Sequence, residues 1–380
     1  MEVNQIYALT NNAVKQALGD SVILQEDLSN IVDVGTTVFD SDAKDAFCGA
    51  LINQIGRMIF VNRKYRGGAP SVLMDGWEWG SVMAKVSSDL PEAVENESWE
   101  LENGTSYDPN VFYGSVVSQK FFNKKVTFEI NKSFADIQLK QAFRSADQYI
   151  GFISMIYNDV ENAMTIRMDA LIMRTINAAM AEAIDSDHKV DLLALYNTTK
   201  GTSLTPEVAV ITEDFLKFAA YQISLYAARM EKLNKVFNVG GKARFTPADR
   251  RHVVLLDDVA KAIGPYTLAG AYNRDDIKIP EFETVPFWQG SDEGSYSLED
   301  NSAINVKLAS DNTKTVNQTY IIGVIFDRDA LGVTNLDRRV TTNYNPKAEF
   351  YTNFYKFDAG YFVDNDEQVL VFTIEGATGE

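Results

Sequence analysis

The chain has 380 residues, 35 Lys and Arg against 53 Asp and Glu, a formal net charge of −18 and a hydrophobic share of 46%. This length suffices for two or three packed regions of ordinary globular composition, and the charge excludes tight binding in a DNA groove, which needs cationic contacts to phosphate. The single cysteine, Cys48, rules out an internal disulfide and fits a reducing compartment.

At the N-terminus no basic region leads into an apolar core, so neither a secretory signal nor a membrane span is expected. Ile6, Leu9, Ala13 and Ala17 are spaced as a short amphipathic helix ending at Gly19, and 20–40 is weakly patterned. Residues 1–45 therefore read as an arm that needs a partner surface to order it. Ser41 is placed to cap the next helix, with Asp42 and Asp45 in its first turn and Phe47, Leu51, Ile55, Met58 and Ile59 on its apolar face. That helix runs into a basic segment, Arg57, Arg63, Lys64 and Arg66, with no acid between Gly49 and Met74. An ion-pairing surface accounts for it better than nucleic-acid contact.

From Ser71 to Asn110 the charge inverts to nine acids and one base, Lys85, alongside Trp77, Trp79 and Trp99. Lys120, Lys124, Lys125 and Lys132 follow, and Val126, Phe128 and Ile130 alternate as in a strand. Residues 71–129 thus read as a two-stranded excursion, acidic outbound and basic on return. An isolated ribbon is barely stable in water, and exposed tryptophans are unusual on a monomer. Two destinations stay open: docking on another subunit, or a small sheet folded onto its own domain.

Residues 147–185 carry a helical period through Ile150, Ile153, Ile156, Val160, Met164, Met168, Leu171, Ile172, Ile176, Met180 and Ile184. The spacing predicts a one-faced helix roughly 55 Å long, with Asp159, Glu161, Arg167, Asp169 and Arg174 off the stripe. The four-residue steps argue against a coiled coil, and the charges exclude a membrane span. Beyond it, 191–196 is a turn or strand. A second amphipathic helix is expected over 207–235, started by Thr212, Glu213 and Asp214 and carrying Phe215, Phe218, Ala219, Ile223, Tyr226 and Met230. Residues 251–256 form an apolar run ending in Asp257-Asp258; 280–294 is loop-like; 320–327 is a buried strand. From Arg338 the pattern is β, with an aromatic strand at 348–357, a turn at 364–367 and a closing strand at 369–374.

The Asp257-Asp258 strand has the look of a nucleotide-hydrolase acidic strand, but Gly240-Gly241-Lys242-Ala243 lacks the spacing and the Ser or Thr of a phosphate loop. The plainer reading is a buried strand meeting a helix cap. His188 and His252 are too isolated to make a zinc site with Cys48, and Asp364-Asn365-Asp366 lacks the glycine and distal Glu of a calcium loop. No catalytic, cofactor-binding or metal-ligating residue is assigned, and an enzyme is not expected.

The order of these pieces resembles the major capsid protein of tailed bacteriophages with the Hong Kong 97-type fold. The stretches carrying the likeness are Ile55-Gly56-Arg57 through Tyr65-Arg66, Val126–Phe143 leading into the long helix, and Ile321–Gly332 running into 338–372 with Asn343-Tyr344-Asn345-Pro346 and Phe362-Val363-Asp364-Asn365. It is a likeness of order and texture over nearly the whole chain. It implies an α+β fold: an arm (1–45), a peripheral domain in three pieces (46–70, 126–205 with a spine helix, 336–380), an extended β-ribbon loop (71–125) and an inserted axial domain (206–335). It further implies a homo-oligomer of pentamers and hexamers closing into an icosahedral virion shell, assembled in the host bacterial cytoplasm. The shell would enclose double-stranded DNA without sequence-specific binding and without a membrane. Candidate partners are scaffolding, portal and decoration proteins; the short arm points to a separate scaffolding protein or none. The inter-subunit candidates are Arg57, Arg63, Lys64, Arg66, Trp77, Trp79, Trp99, Phe112 and Tyr113, with the basic segment facing a neighbour's acidic ribbon strand. An encapsulin-like compartment shell is the alternative.

Overall fold

The computed structural model describes residues 3–19, 22–40, 43–51, 69–74, 83–88, 102–108, 110, 112–114, 117–269, 280–289 and 297–376. In chain order these form helices α1 (Val3–Leu18) and α2 (Ile31–Asp40), helical residues 44–51 (α3), and strands β1 (Leu73–Met74), β2 (Met83–Ser88), β3 (Val117–Phe122) and β4 (Lys125–Ala135). Helices α4 (Asp136–Ala142) and α5 (Ala146–Asp185) precede β5 (Lys189–Asp191), α6 (Leu192–Lys200), α7 (Pro206–Ala209) and α8 (Glu213–Met230). Then come β6 (Arg251–Leu256), α9 (Asp257–Ala269), β7 (Glu283–Val285), α10 (Leu298–Asn301), β8 (Ile304–Lys307), β9 (Thr315–Gln318), β10 (Ile321–Asp327), β11 (Leu331–Asn345), β12 (Phe350–Val363) and β13 (Val369–Thr373). The chain packs as two compact units.

The first unit comprises Met1–Glu78, Lys125–Arg174 and Val333–Gly360. Its sheet has the order β1-β11-β12-β4, with β12 antiparallel to β4 from Phe350↔Ala135 to Gly360↔Lys125. The N-terminal segment is not a loose arm here: Ile6, Leu9, Ala13 and Val14 of α1 and Ile31, Val34 and Val38 of α2 are all buried. Helix α2 was not legible in the sequence, because Gly35, Thr36 and Thr37 blur its period. Its glycine has a packing reason: a Cβ on Gly35 would lie 2.6 Å from Cδ1 of Phe143. Phe143 in turn packs against Phe39, Phe47 and Tyr149, with ring centroids 5.6, 5.8 and 4.9 Å away.

The second unit comprises Trp79–Lys124, Thr175–Gly332 and Tyr361–Glu380. Its five-stranded sheet runs β5-β13-β10-β6-β7, with β10 antiparallel to both β13 and β6. Every residue of β10 and β13 is buried, as expected of central strands covered on both faces. Helices α6, α8 and α9 bring Leu193, Phe215, Ile223 and Val259 into one core with Leu255, Ile325 and Phe372. Each such side chain contributes about 1.5–3 kcal/mol by leaving water. The strands after residue 335 are divided by this pairing: β12 to Gly360 lies with the first unit, while β13 lies beside β10 in the second. The polar stretch before β10, featureless in sequence, holds the β8–β9 hairpin.

Helix α5 starts one residue before the predicted position and ends where predicted, at Asp185. Through Arg174 it is one-faced: Ile153, Ile156, Val160, Met164, Met168, Leu171 and Ile172 are buried, while Asp159, Arg167 and Arg174 are exposed. Beyond that point the one-faced expectation fails. Thr175, Ile176, Asn177, Ala179, Met180, Ala181, Glu182 and Ala183 are buried around the whole circumference. Of the three polar side chains among them, Asn177 donates to the Trp288 carbonyl at 2.8 Å, and Glu182 accepts from the Ser310 backbone and hydroxyl at 2.8 and 2.7 Å.

Candidate functional site

The return arm of the sequence-predicted ribbon is two strands, separated at Asn123-Lys124. Strand β3 pairs with β2, and β4 joins the sheet of the first unit. The ribbon base is therefore β2–β3, antiparallel from Met83↔Phe122 to Ser88↔Val117, and it belongs to the second unit. Burial alternates along both strands, which sorts side chains by face. Met83, Lys85, Ser87, Ser118, Lys120 and Phe122 point inward. Val86, Val117 and Phe121 point outward and are 64, 61 and 62% exposed.

The register places Lys85 directly opposite Lys120, a like-charge pair that is destabilising in isolation. What offsets it is the turn between β12 and β13. Lys85 Nζ lies 2.7 Å from both Asp364 and Glu367, and Lys120 Nζ lies 2.9 Å from Asp364 and 2.6 Å from Asp366. Asp364 thus bridges the two lysines, with its side chain 1% exposed. The loop after α8 closes the cluster from another side, with Arg244 Nε 3.4 Å from Glu367 and Lys242 donating to the Ser118 hydroxyl at 3.1 Å. The Gly240 amide donates to the Asn365 carbonyl at 2.7 Å. A Cβ at Gly240 would sit 2.1 Å from Asp366 Oδ1, so only glycine lets this loop approach the acidic turn. Phe122 and Phe362 stack at 5.1 Å beside it.

Burial and pairing compete at these groups. Burial acts to raise Asp364, but hydrogen bonds from Lys85 and Lys120 outweigh it and hold the carboxyl below its ordinary value. At Glu367 burial wins over Lys85 and Arg244, and the carboxyl is raised. The difference follows from partner number: Asp364 takes two lysines, Glu367 only Lys85 at close range. Lys85 is raised, since its bonds to Asp364 and Glu367 override burial. With lysines closing over its carboxylates, the cluster is a mechanical clamp on the ribbon base.

Of the sequence-predicted interface residues, Arg57, Arg63, Lys64, Arg66, Trp77, Trp79 and Trp99 lie outside the described residues. Phe112 and Tyr113 are described and stand 91 and 86% exposed. Asp257 opens α9 directly after the buried strand β6 and bonds to Lys261 at 2.8 Å, one turn on. This pairing lowers its pKa and suits a helix start. The clamp itself was missed, because its lysines and acids lie 244 to 282 residues apart in sequence. The available signal was Lys85, the one base in an acidic stretch.

A family model described as Phi29-like phage major capsid protein matches residues 9–373. A chain from the capsid structure of Staphylococcus phage Andhra is similar at 8% identity and a TM-score of 0.53, over 83% of this chain and 85% of that one. A chain from the capsid structure of the cyanophage P-SCSP1u aligns at 14% identity and a TM-score of 0.47, over 83% and 90%. No curated protein matches.

Proposed function

Because the chain belongs to the Phi29-like phage major capsid protein family, we propose that it is the repeating subunit of an icosahedral phage head, assembled from pentamers and hexamers around double-stranded DNA. Its role is structural rather than enzymatic. In this reading the fold is of the Hong Kong 97 type: the first unit, with α5 as spine, forms the peripheral domain, and the five-stranded sheet of the second forms the axial domain. The ribbon on β2–β3 is the extended loop that reaches a neighbouring subunit, where its acidic strand meets Arg57, Arg63, Lys64 and Arg66. Trp77, Trp79 and Trp99 join that contact. Assembly takes place in the host cytoplasm, with scaffolding, portal and decoration proteins as partners.

The observation that carries this reading is the outward ribbon face. Val86, Val117 and Phe121, with Phe112 and Tyr113 further along, put large apolar side chains into water on a two-stranded element that cannot bury them itself. The net charge of −18 suits a shell from which a genome must enter and leave, since it disfavours tight phosphate contact. Negative-stain electron microscopy of the purified protein, with and without a candidate scaffolding protein, tests it. Closed shells, tubes or rings of five or six are expected; a uniform monomer or dimer under every condition overturns it. Nucleic acid inside the particles separates a viral head from an encapsulin-like compartment.

A further inference from the structure

A second exposed apolar surface lies on the second unit, away from the ribbon's outward face. Asn234 and Arg244 form an antiparallel bridge, each amide donating to the other's carbonyl at 3.0 and 2.9 Å. Their side chains turn inward: Asn234 accepts from Gln368, and Arg244 faces Glu367. Alternation then sends the flanking residues the other way. Leu233 and Phe245 become a close outward pair across the bridge, each 54% exposed; past the bridge the chain turns, with the Val236 amide donating to the Asn234 side chain, and Val236 is 65% exposed. Lys232 and Lys235 interleave with them, are exposed, and make no ion pair among the described residues. A cross-strand Leu–Phe pair left in water, ringed by lysines, is the surface of a docking site.

The occupant is identified by complementary chemistry. Between Lys85 and Lys120 the chain carries seven acids and no Lys, Arg or His. In the described part, Glu102 and Asp108 accompany Tyr107, Phe112 and Tyr113, which are 48, 91 and 86% exposed. This acidic, aromatic segment fits an apolar patch rimmed by lysines. Both surfaces are exposed in the same chain, so the segment does not cover its own patch. We infer that the stretches 102–108 and 112–114 of one copy dock on Leu233 and Phe245 of a second copy, with Lys232 and Lys235 facing Glu102 and Asp108. This rests on the shell reading above and adds a second footing for the ribbon, distinct from the 57–66 segment.

The test is cross-linking in the full chain. A Tyr113→Cys/Phe245→Cys double variant, assembled and mildly oxidised, is expected to give a ladder of joined chains on a non-reducing gel; each single variant stays monomeric, because Cys48 is buried. A Leu233→Glu/Phe245→Glu variant is expected to melt as the parent does, since both sites are exposed, yet to lose shell yield at least tenfold. Closed particles without a 113–245 cross-link overturn the inference and leave the shell reading intact, most directly if Tyr113→Cys/Arg63→Cys is joined instead. If the parent forms no particles and no ladder, both fall. A ladder without particles upholds the contact and sinks the shell.

Discussion

Strand β10 and the ribbon β2–β3 belong to the same unit and are held by opposite means. All seven residues of β10 are buried between β6 and β13. It is held by apolar contact, which is non-directional and has no titrating group in it. The ribbon base shows the sheet only a half-buried face, centred on Lys85 and Lys120, and is held by carboxylates. Burying ions costs desolvation that an apolar contact avoids. In return the attachment has one geometry, since two lysines and three carboxylates match only in one register. The sheet thus gives the unit its stability, and the clamp gives the ribbon its direction.

Substitutions should separate the two roles. Phe372→Ala opens a cavity against the core of the second unit and is expected to cost about 3–5 kcal/mol. Thermal unfolding should show it as a loss of the whole cooperative transition. Asp364→Ala strips the bridge between the lysines but leaves each one a carboxylate, Glu367 for Lys85 and Asp366 for Lys120. The expected loss is smaller, about 1–3 kcal/mol, and local: hydrogen exchange should rise in 83–88 and 117–122 while β10 stays protected. Equal loss in both places would erase the distinction.

Sequence reading reached the elements that are regular over a long span and lost those fixed by distant contacts. Helix α5 was legible to within a residue because its stripe from Ile153 to Met180 keeps one period. Strands β10 and β13 were legible as unbroken apolar runs. Helix α2 was hidden by Gly35, whose reason is the Phe143 ring a hundred residues away. The all-round burial of Thr175–Ala183 was hidden because alanines, Asn177 and Glu182 do not announce a core. At the clamp, lysines on a strand and acids in a turn each look like solvated charge until the fold brings them together.

Acid should sharpen the comparison further. Glu367 is raised by burial, so on acidification it takes up its proton first, and that step favours the folded state. Asp364, lowered by its lysines against the pull of burial, contributes stability above the ordinary value of 3.8 and loses it as the pH falls through its lowered value. Lys85, raised above its ordinary 10.5, keeps its contribution until the pH exceeds that value. Protection of 83–88 and 117–122 should therefore hold at neutral pH, rise slightly as Glu367 takes up its proton in mild acid, and fail only below about 3.8 or above 10.5. A loss centred near pH 6 would mean that other groups hold the ribbon.

The smallest effect on the isolated subunit is expected on the ribbon's outward face. Phe121 is 62% exposed and lies opposite Ala84 in the pairing, so Phe121→Ser should change subunit stability by no more than about 0.5 kcal/mol. If that face meets a neighbour, the same substitution removes an aromatic anchor from every copy of the contact, and contacts repeated around a shell multiply the loss. Assembly yield should then drop several-fold in particles whose subunits melt unchanged. Phe372→Ala should do the reverse, reducing soluble subunit first and shells only in proportion. Should Phe121→Ser lower the melting temperature as Phe372→Ala does, the outward face would be part of the subunit's own core, and the division of labour between sheet and ribbon would have to be redrawn.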